Sequence, residues 1–166
     1  MSEERRLVDD FFANGTVIRV QDGDTVVIRL DIGARAIDDD DDGLIEVRFS
    51  GIDTPESEWP GNWPAQPFSK ESKEFTRGFV EKKIVTARLK GDVTYGRFVG
   101  EIFIDGRSLN RELVRSGLAW WNKSYERYDL DYQRLEAEAR RKKVGLWSQP
   151  NPIPPWKWRR GEGIDA

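Results

Sequence analysis

A short segment, residues 48–56, places one arginine and two carboxylates where a predicted strand must end. Its sequence reads Arg-Phe-Ser-Gly-Ile-Asp-Thr-Pro-Glu. Gly51 permits an unusual backbone conformation, while Pro55 lacks an amide donor and biases Thr54 toward an extended geometry. Opposite charges on such a rigid turn can hold a hard cation beside an anionic substrate. Taken alone, this segment fits an ordinary solvated strand end slightly better than a site.

Two other charged segments lie at predicted strand ends. Asp24 follows an Asp-Gly turn and immediately precedes a strand, and Tyr95-Gly96-Arg97 opens another strand. In a small barrel, the ends of strands from different hairpins converge at one rim. We therefore expect Asp24, Arg48 and Asp53 to lie near Arg97.

The hydrophobic pattern predicts the elements that must position these residues. Alternation of apolar and polar residues predicts five strands, at residues 16–20, 25–30, 44–52, 84–90 and 97–104. A helical period predicts three helices, at about 68–82, after a capping Ser108, and from about 130 to 143 with an end at Gly145. This order predicts an α+β fold, a small closed antiparallel β-barrel of the OB type with three helices.

The length of the chain suits one domain with a core and hardly two. We interpret residues 1–14 as a polar N-terminal lead-in and residues 149–166 as a C-terminal tail rich in Pro and Trp, which leaves one domain at 15–148. Trp156 and Trp158 of this tail either fold back on the core or dock on a partner. No periodic apolar surface indicates an oligomer, so we expect a monomer.

The absence of two residue types narrows the possible chemistry. The chain has no cysteine and no histidine. This excludes disulfides, thiolate and imidazole metal ligands, and every nucleophile activated by histidine. An enzyme with this composition must therefore use carboxylates, arginines, lysines and tyrosines.

The net charge and the hydropathy of the chain limit the classes of partner that it can bind and the compartments in which it can lie. The formal net charge of −3 argues against a passive nucleic-acid coat protein, but it leaves room for an enzyme with a local basic cleft. No stretch approaches the ~20 apolar residues that span a bilayer, and the first residues do not resemble a signal peptide. As written, the sequence predicts a cytoplasmic protein, or a secreted or periplasmic one if a leader was removed.

Five consecutive aspartates, Asp38 to Asp42, suggest a calcium loop at first sight. Asp38, Asp40, Asp42 and Gly43 match the opening of an EF-hand. The twelfth loop position should be a bidentate carboxylate, but it is Phe49, and the predicted flanks are strands instead of helices. We interpret the run as a solvated hairpin loop.

An ordered set of motifs resembles the staphylococcal nuclease (thermonuclease) family. Asp-Thr-Pro-Glu alone would be a weak signal, but one arginine lies five residues before Asp53 and another follows Tyr-Gly. The likeness covers roughly residues 15–148 as one complete domain. The matching pieces, in chain order, are Asp22-Gly23-Asp24-Thr25, Arg48 with Asp53-Thr54-Pro55-Glu56, Tyr95-Gly96-Arg97, residues 113–119 and Gly145-Leu146-Trp147.

The resemblance implies an OB barrel with three helices and calcium-dependent hydrolysis of DNA and RNA phosphodiesters. By position, two carboxylates and one carbonyl would bind Ca²⁺, a third carboxylate would orient or deprotonate the attacking water, and two arginines would grip the phosphate. The residues implied are Asp24, Asp53 and the Thr54 carbonyl for the metal, Arg48, Glu56 and Arg97 for catalysis, and Tyr95, Lys123 and Tyr125 for the substrate.

The sequence departs from the family pattern at two positions, and it also allows one alternative function. Thr94 stands where the pattern has lysine, and Lys123 stands where it has one of two tyrosines, so base preference and affinity are not determined by the resemblance. The alternative is a non-catalytic nuclease-like module that binds nucleic acid or protein. Such a module should lose members of the ionic set, whereas this chain retains all of them, which favours catalysis.

Overall fold

Five strands close into a mixed β-barrel in the computed structural model, which describes residues 10–31, 43–94, 97–124 and 129–164. The described strands are β1 (Phe11–Asp22), β2 (Thr25–Leu30), β3 (Leu44–Phe49), β4 (Ile52–Asp53), β5 (Ile84–Thr94), β6 (Arg97–Ile104), β7 (Arg107–Ser108) and β8 (Trp120–Trp121). The described α-helices are α1 (Ser69–Val80), α2 (Leu109–Arg115), α3 (Leu130–Lys142) and the short α4 (Pro155–Trp158).

The barrel closes on a parallel pair of strands. Its order is β3-β2-β1-β5-β6, with antiparallel neighbours throughout, and β3 pairs with β6 in parallel to close it. This corrects the expectation of a purely antiparallel barrel, because an odd number of alternating strands must end on a parallel pair. The predicted α+β fold with an OB-type barrel is confirmed, and several helices flank it.

The first strand begins earlier than the sequence predicts. The predicted lead-in, residues 1–14, overlaps β1, which starts at Phe11 and pairs with β5 up to Thr16. Phe11 packs on the core, with its ring edge-to-face on Phe98 at a centroid distance of 6.4 Å. The pattern missed this half of the strand because its alternating residues are only partly buried and an Asn-Gly pair follows them.

The core forms inside the barrel and under the helices. Along β3, Ile45, Val47 and Phe49 are buried, whereas Glu46 and Arg48 point toward the outside. Helix α2 seals the barrel with Leu109, Leu113 and Val114, as its predicted stripe requires. Inward apolar residues therefore force the intervening charged residues of β3 to the outer surface.

Helix ends follow the predictions with one exception. Ser108 caps α2 by accepting a hydrogen bond from the Arg111 amide. At the end of α3 the left-handed cap is Lys143, with φ 54°, two residues before the predicted Gly145. None of the described helices is long and apolar enough to cross a membrane.

A charged cluster ties α3 to α2 and β6. Arg111 donates to Glu101 at 3.0 Å, to Asp129 at 3.1 Å and to Asp131 at 2.8 Å. Asp129 also caps α3, because its carboxylate accepts from the Asp131 and Tyr132 amides. Burial opposes the charge of Asp129, but the Arg111 hydrogen bond and these amides outweigh it and lower the pKa of this carboxyl.

We expect Asp129→Ala to lower the free energy of unfolding by about 2 kcal/mol at pH 7, since it removes a helix cap and a charge-assisted bond. The folded pKa lies below the ordinary 3.8, so this contribution is present above that pH. It is lost as the pH falls through the folded value. Urea unfolding at pH 7 and pH 3 should show the difference shrinking with acidification. Glu162→Gln, which removes an exposed carboxylate that pairs with Arg160 outside this cluster, is the control and should show no such change. A deficit that does not depend on pH would contradict this account.

Candidate active site

Three of the residues singled out in the sequence meet at one end of the barrel. Arg48 places Nη1 3.1 Å from Asp24 Oδ2 and Nη2 3.2 Å from Asp53 Oδ1. Both carboxylates are buried, with Asp53 only 1% exposed. The guanidinium group of Arg48 therefore bridges two buried carboxylates that come from separate segments.

Asp24 is fixed by its neighbours in the turn between β1 and β2. Its Oδ2 accepts from the Thr54 amide at 2.9 Å, and its backbone carbonyl accepts from the Phe49 amide at 2.8 Å. The preceding Gly23 packs against Thr54 so closely that a Cβ on it would lie 2.8 Å from the Thr54 hydroxyl oxygen. The Asp-Gly-Asp turn thus fits only a glycine at its centre.

Asp53 is held by a turn that buried polar side chains support from below. Gly51 has φ 73°, in agreement with the unusual backbone expected there, and its carbonyl accepts from the Asn122 amide. The Ser50 carbonyl accepts from Asn110 Nδ2 and from the Tyr132 hydroxyl, both at 3.2 Å. Sequence reasoning did not find these two supports, since a lone buried Asn or Tyr has no recognisable spacing.

Glu56 lies beyond Asp53 at the edge of the same site. The Gln66 side-chain carbonyl accepts from the Glu56 amide at 3.0 Å, and the Gln66 amide donates to the Glu56 carbonyl at 2.8 Å. Burial raises the pKa of Glu56 to about 7, although a neighbouring arginine, Arg159, opposes this rise. A carboxyl with this pKa can both release and accept a proton near neutral pH.

Arg159 reaches this site from the C-terminal tail. Its Nη2 lies 3.0 Å from Asp53 Oδ2, and its Nη1 forms an ion pair with Glu56 Oε1. Sequence reasoning missed it because it lies outside the segment that carries the resemblance and in no motif. The only signal was the surrounding run of Trp and Pro, which is unusual for a solvated tail.

The tail docks on this chain. Trp158 is buried, and its Nε1 donates to the Pro64 carbonyl at 2.9 Å. Trp156 packs edge-to-face against Trp120 at a centroid distance of 5.8 Å. This answers the question left open for the two tail tryptophans, and it fixes the backbone next to Arg159.

Arg97 lies at the mouth of the site. Its Nε donates to Glu46 Oε1 at 2.5 Å, and its side chain is half exposed. The parallel register sets Arg97 opposite Glu46 and Arg48 opposite Val99, so both arginines lie along the closing seam of the barrel. A cavity of about 440 Å³ is lined by Asp24, Arg48, Asp53, Glu56, Arg97 and Arg159.

One predicted substrate contact can be located. Lys123 lines an adjoining groove of about 1290 Å³, and its Nζ lies 5.2 Å from the centroid of the Trp121 ring. Tyr95 and Tyr125 lie outside the described residues, as does the acidic run of residues 38–42. Arg48, Arg97 and Arg159 line both the groove and the smaller cavity.

Burial and the charges of neighbouring side chains determine the pKa shifts of Asp53 and Arg48. Burial raises the pKa of Asp53, and the neighbouring Asp24 adds to this, while Arg48 and Arg159 oppose it. Burial works against the charged form of Arg48, but Asp24 and Asp53 outweigh it and raise its pKa. Two adjacent buried carboxylates need positive charge nearby, and here guanidinium groups supply it.

The oxygen donors of this site suit a hard divalent cation, but the protein supplies only part of the coordination shell. Within the described residues, no group of three or more acidic side chains is arranged to hold a metal ion. Asp24 and Asp53 offer carboxylates, and the Thr54 hydroxyl is buried without a hydrogen-bond partner among the described residues. Calcium takes six to eight oxygen ligands and accepts waters, so the donors fit it if water or substrate completes the shell.

Comparison with known proteins identifies the family of this chain. An uncharacterized endonuclease of Escherichia coli is 34% identical over 149 residues, which cover 88% of this chain and 84% of that protein. The staphylococcal-like nuclease CAN1 of Arabidopsis thaliana is 35% identical over 116 residues, which cover 70% of this chain and 33% of that protein. A sequence model described as "Staphylococcal nuclease homologue" matches residues 46–149, the larger part of the chain. The chain therefore belongs to the staphylococcal nuclease homologue family.

Proposed function

We propose that this protein is a calcium-dependent nuclease that hydrolyses phosphodiester bonds of DNA and RNA. The observation that carries the proposal is the contact of Arg48 with both buried carboxylates, Asp24 and Asp53, beside Glu56. The family and the names of the relatives, endonuclease and staphylococcal-like nuclease, support it. A non-catalytic module would have no use for buried like charges, which are costly to hold.

Calcium would be held by the carboxylates of Asp24 and Asp53 and by the Thr54 carbonyl. When bound, it would supply Lewis acidity and neutralise charge on the phosphate and on an attacking water. The chain fixes these donors tightly, because the Thr54 amide is bonded to Asp24 and β4 pairs Asp53 with Trp120.

The arginines would act on the phosphate. A phosphodiester gains negative charge on its equatorial oxygens at the transition state, and a planar guanidinium can donate paired hydrogen bonds to them. Arg48 and Arg97 line one cavity from neighbouring strands of a closed barrel. Donors that are fixed before the reaction stabilise developing charge without reorganisation.

Glu56 would orient or deprotonate the attacking water. The chain has no histidine, and Glu56 lines the cavity that Asp24 and Asp53 share. Its pKa of about 7 is close to the value at which a general base works best near neutral pH. Nucleic acid flanking the cleaved bond would lie in the groove that contains Lys123 and Trp156.

The simplest experiment separates a nuclease from a binding module. Single-stranded DNA and RNA are incubated with the protein in calcium or in EDTA, and the products are resolved by size. We expect cleavage in calcium and none in EDTA. Binding without cleavage under both conditions would favour the module and overturn the proposal.

The metal ligands give a first prediction. Asp24→Asn should reduce calcium-dependent cleavage by ~100-fold or more, because it removes a charged ligand while its amide oxygen still accepts from Thr54. The control is Glu74→Gln, which removes an exposed carboxylate of α1 that pairs with Arg77. Initial rates over a calcium titration measure both. Asp24 is not a ligand if its variant retains wild-type turnover and calcium dependence.

The arginines give a second prediction. Arg48→Lys and Arg97→Lys keep the charge but lose the planar fork, so at least one should lower single-turnover cleavage by ~10²-fold. Oligonucleotide affinity should change far less, since only differential binding accelerates the chemical step. Arg77→Lys, on the exposed face of α1, is the control. Small and equal losses of rate and affinity in both variants would argue against a catalytic role.

A further inference from the structure

Arg159 occupies Asp53, one of the two carboxylates that the proposed function gives to calcium. Both oxygens of Asp53 are engaged: Oδ2 by Arg159 at 3.0 Å, and Oδ1 by Arg48 at 3.2 Å and by Arg159 at 3.4 Å. The same guanidinium forms an ion pair with Glu56. A divalent cation that binds Asp53 would meet the guanidinium group of Arg159 on the same oxygens, so the two cations compete for them.

The charges of the site make this competition strong. At the smaller cavity, the carboxylates of Asp24, Asp53 and Glu56 pair with the guanidinium groups of Arg48 and Arg159. Asp22 and Arg97 also line this cavity. A divalent ion beside Asp53 would attract the carboxylates and repel the nearest guanidinium. Arg159 is the easier of the two to displace. Its side chain is 36% exposed, whereas the side chain of Arg48 is 23% exposed and comes from a barrel strand.

A displaced Arg159 would stay within the site. Its backbone is held by Trp158, which donates to the Pro64 carbonyl, so only the side chain has to turn. Arg159 lines both the carboxylate cavity and the groove that contains Lys123 and Trp156. Arg48 lines the same two cavities, so a rotated Arg159 side chain would keep its guanidinium in space that it shares with Arg48.

On the basis of the proposed function, we infer that Arg159 is a third arginine of the site with two successive partners. In the metal-free protein it neutralises Asp53 and Glu56. With calcium bound, Arg159 would leave both carboxylates, and its guanidinium would bind the phosphate of the substrate. The C-terminal tail is thereby part of the substrate site and also sets the calcium affinity.

The test compares Arg159→Gln with Arg160→Gln. Arg160 lies next in the chain, is exposed and pairs with Glu162, so its variant removes the same charge without touching the site. Calcium alone is titrated into each protein by calorimetry. We expect Arg159→Gln to bind calcium about tenfold more tightly, the scale on which one opposite charge alters the proton affinity of a carboxylate. Arg160→Gln should match the wild type.

A second titration follows the substrate half of the inference. A fluorescent single-stranded phosphorothioate oligonucleotide, which keeps its charge and resists hydrolysis, is titrated at saturating calcium. We expect Arg159→Gln to bind it about tenfold more weakly, because one charge-assisted bond pair to phosphate is lost. If Arg159→Gln does not fold, Arg159→Lys should show both shifts in the same direction and smaller.

The outcomes separate this inference from the proposed function. If the wild type binds calcium and Arg159→Gln leaves either affinity unchanged, the role of Arg159 is wrong and the nuclease proposal stands. If Arg160→Gln changes the calcium and oligonucleotide affinities as much as Arg159→Gln does, the inference also fails, because a general effect of net charge would then explain both changes. If the wild type binds no calcium, the metal assignment and this inference both fail.

Discussion

The structure depends on the cost of placing two carboxylates together away from water. Asp24 and Asp53 are buried side by side, and Arg48 bridges them. A buried ionic group of this kind is strongly destabilising if one partner is missing. The closed barrel provides the rigidity that holds the charges in register, and the Asn110 and Tyr132 side chains brace the turn that carries Asp53.

Much of the barrel could be predicted because strands with one buried face alternate with period two. This signal located β2 and β6 closely, since buried apolar residues recur at alternate positions of each strand: Val26, Ile28 and Leu30 in β2, and Phe98 and Ile102 in β6. It failed for the first half of β1, where partial burial weakens the alternation and Gly15 resembles a break. The parallel closure of β3 on β6 depends on strand pairing, which the residues of one strand do not encode.

Much of the candidate site could also be anticipated, because the charged residues of short motifs fall at strand ends that a barrel brings together. Asp24, Arg48 and Asp53 meet in this way, and Arg97 lies at the mouth of the same cavity. Arg159 could not be anticipated, since 106 residues separate it from Asp53 and its position depends on how the tail packs. Local spacing contains no information on such a long-range contact.

The central claim is that a cation binds between the two buried carboxylates. Crystals grown with calcium, measured for its anomalous scattering, test it directly. The account predicts a peak about 2.3–2.6 Å from oxygens of both Asp24 and Asp53, with Arg159 withdrawn from Asp53. A structure at saturating calcium in which no peak lies between these carboxylates, and Arg159 still holds Asp53, would contradict it.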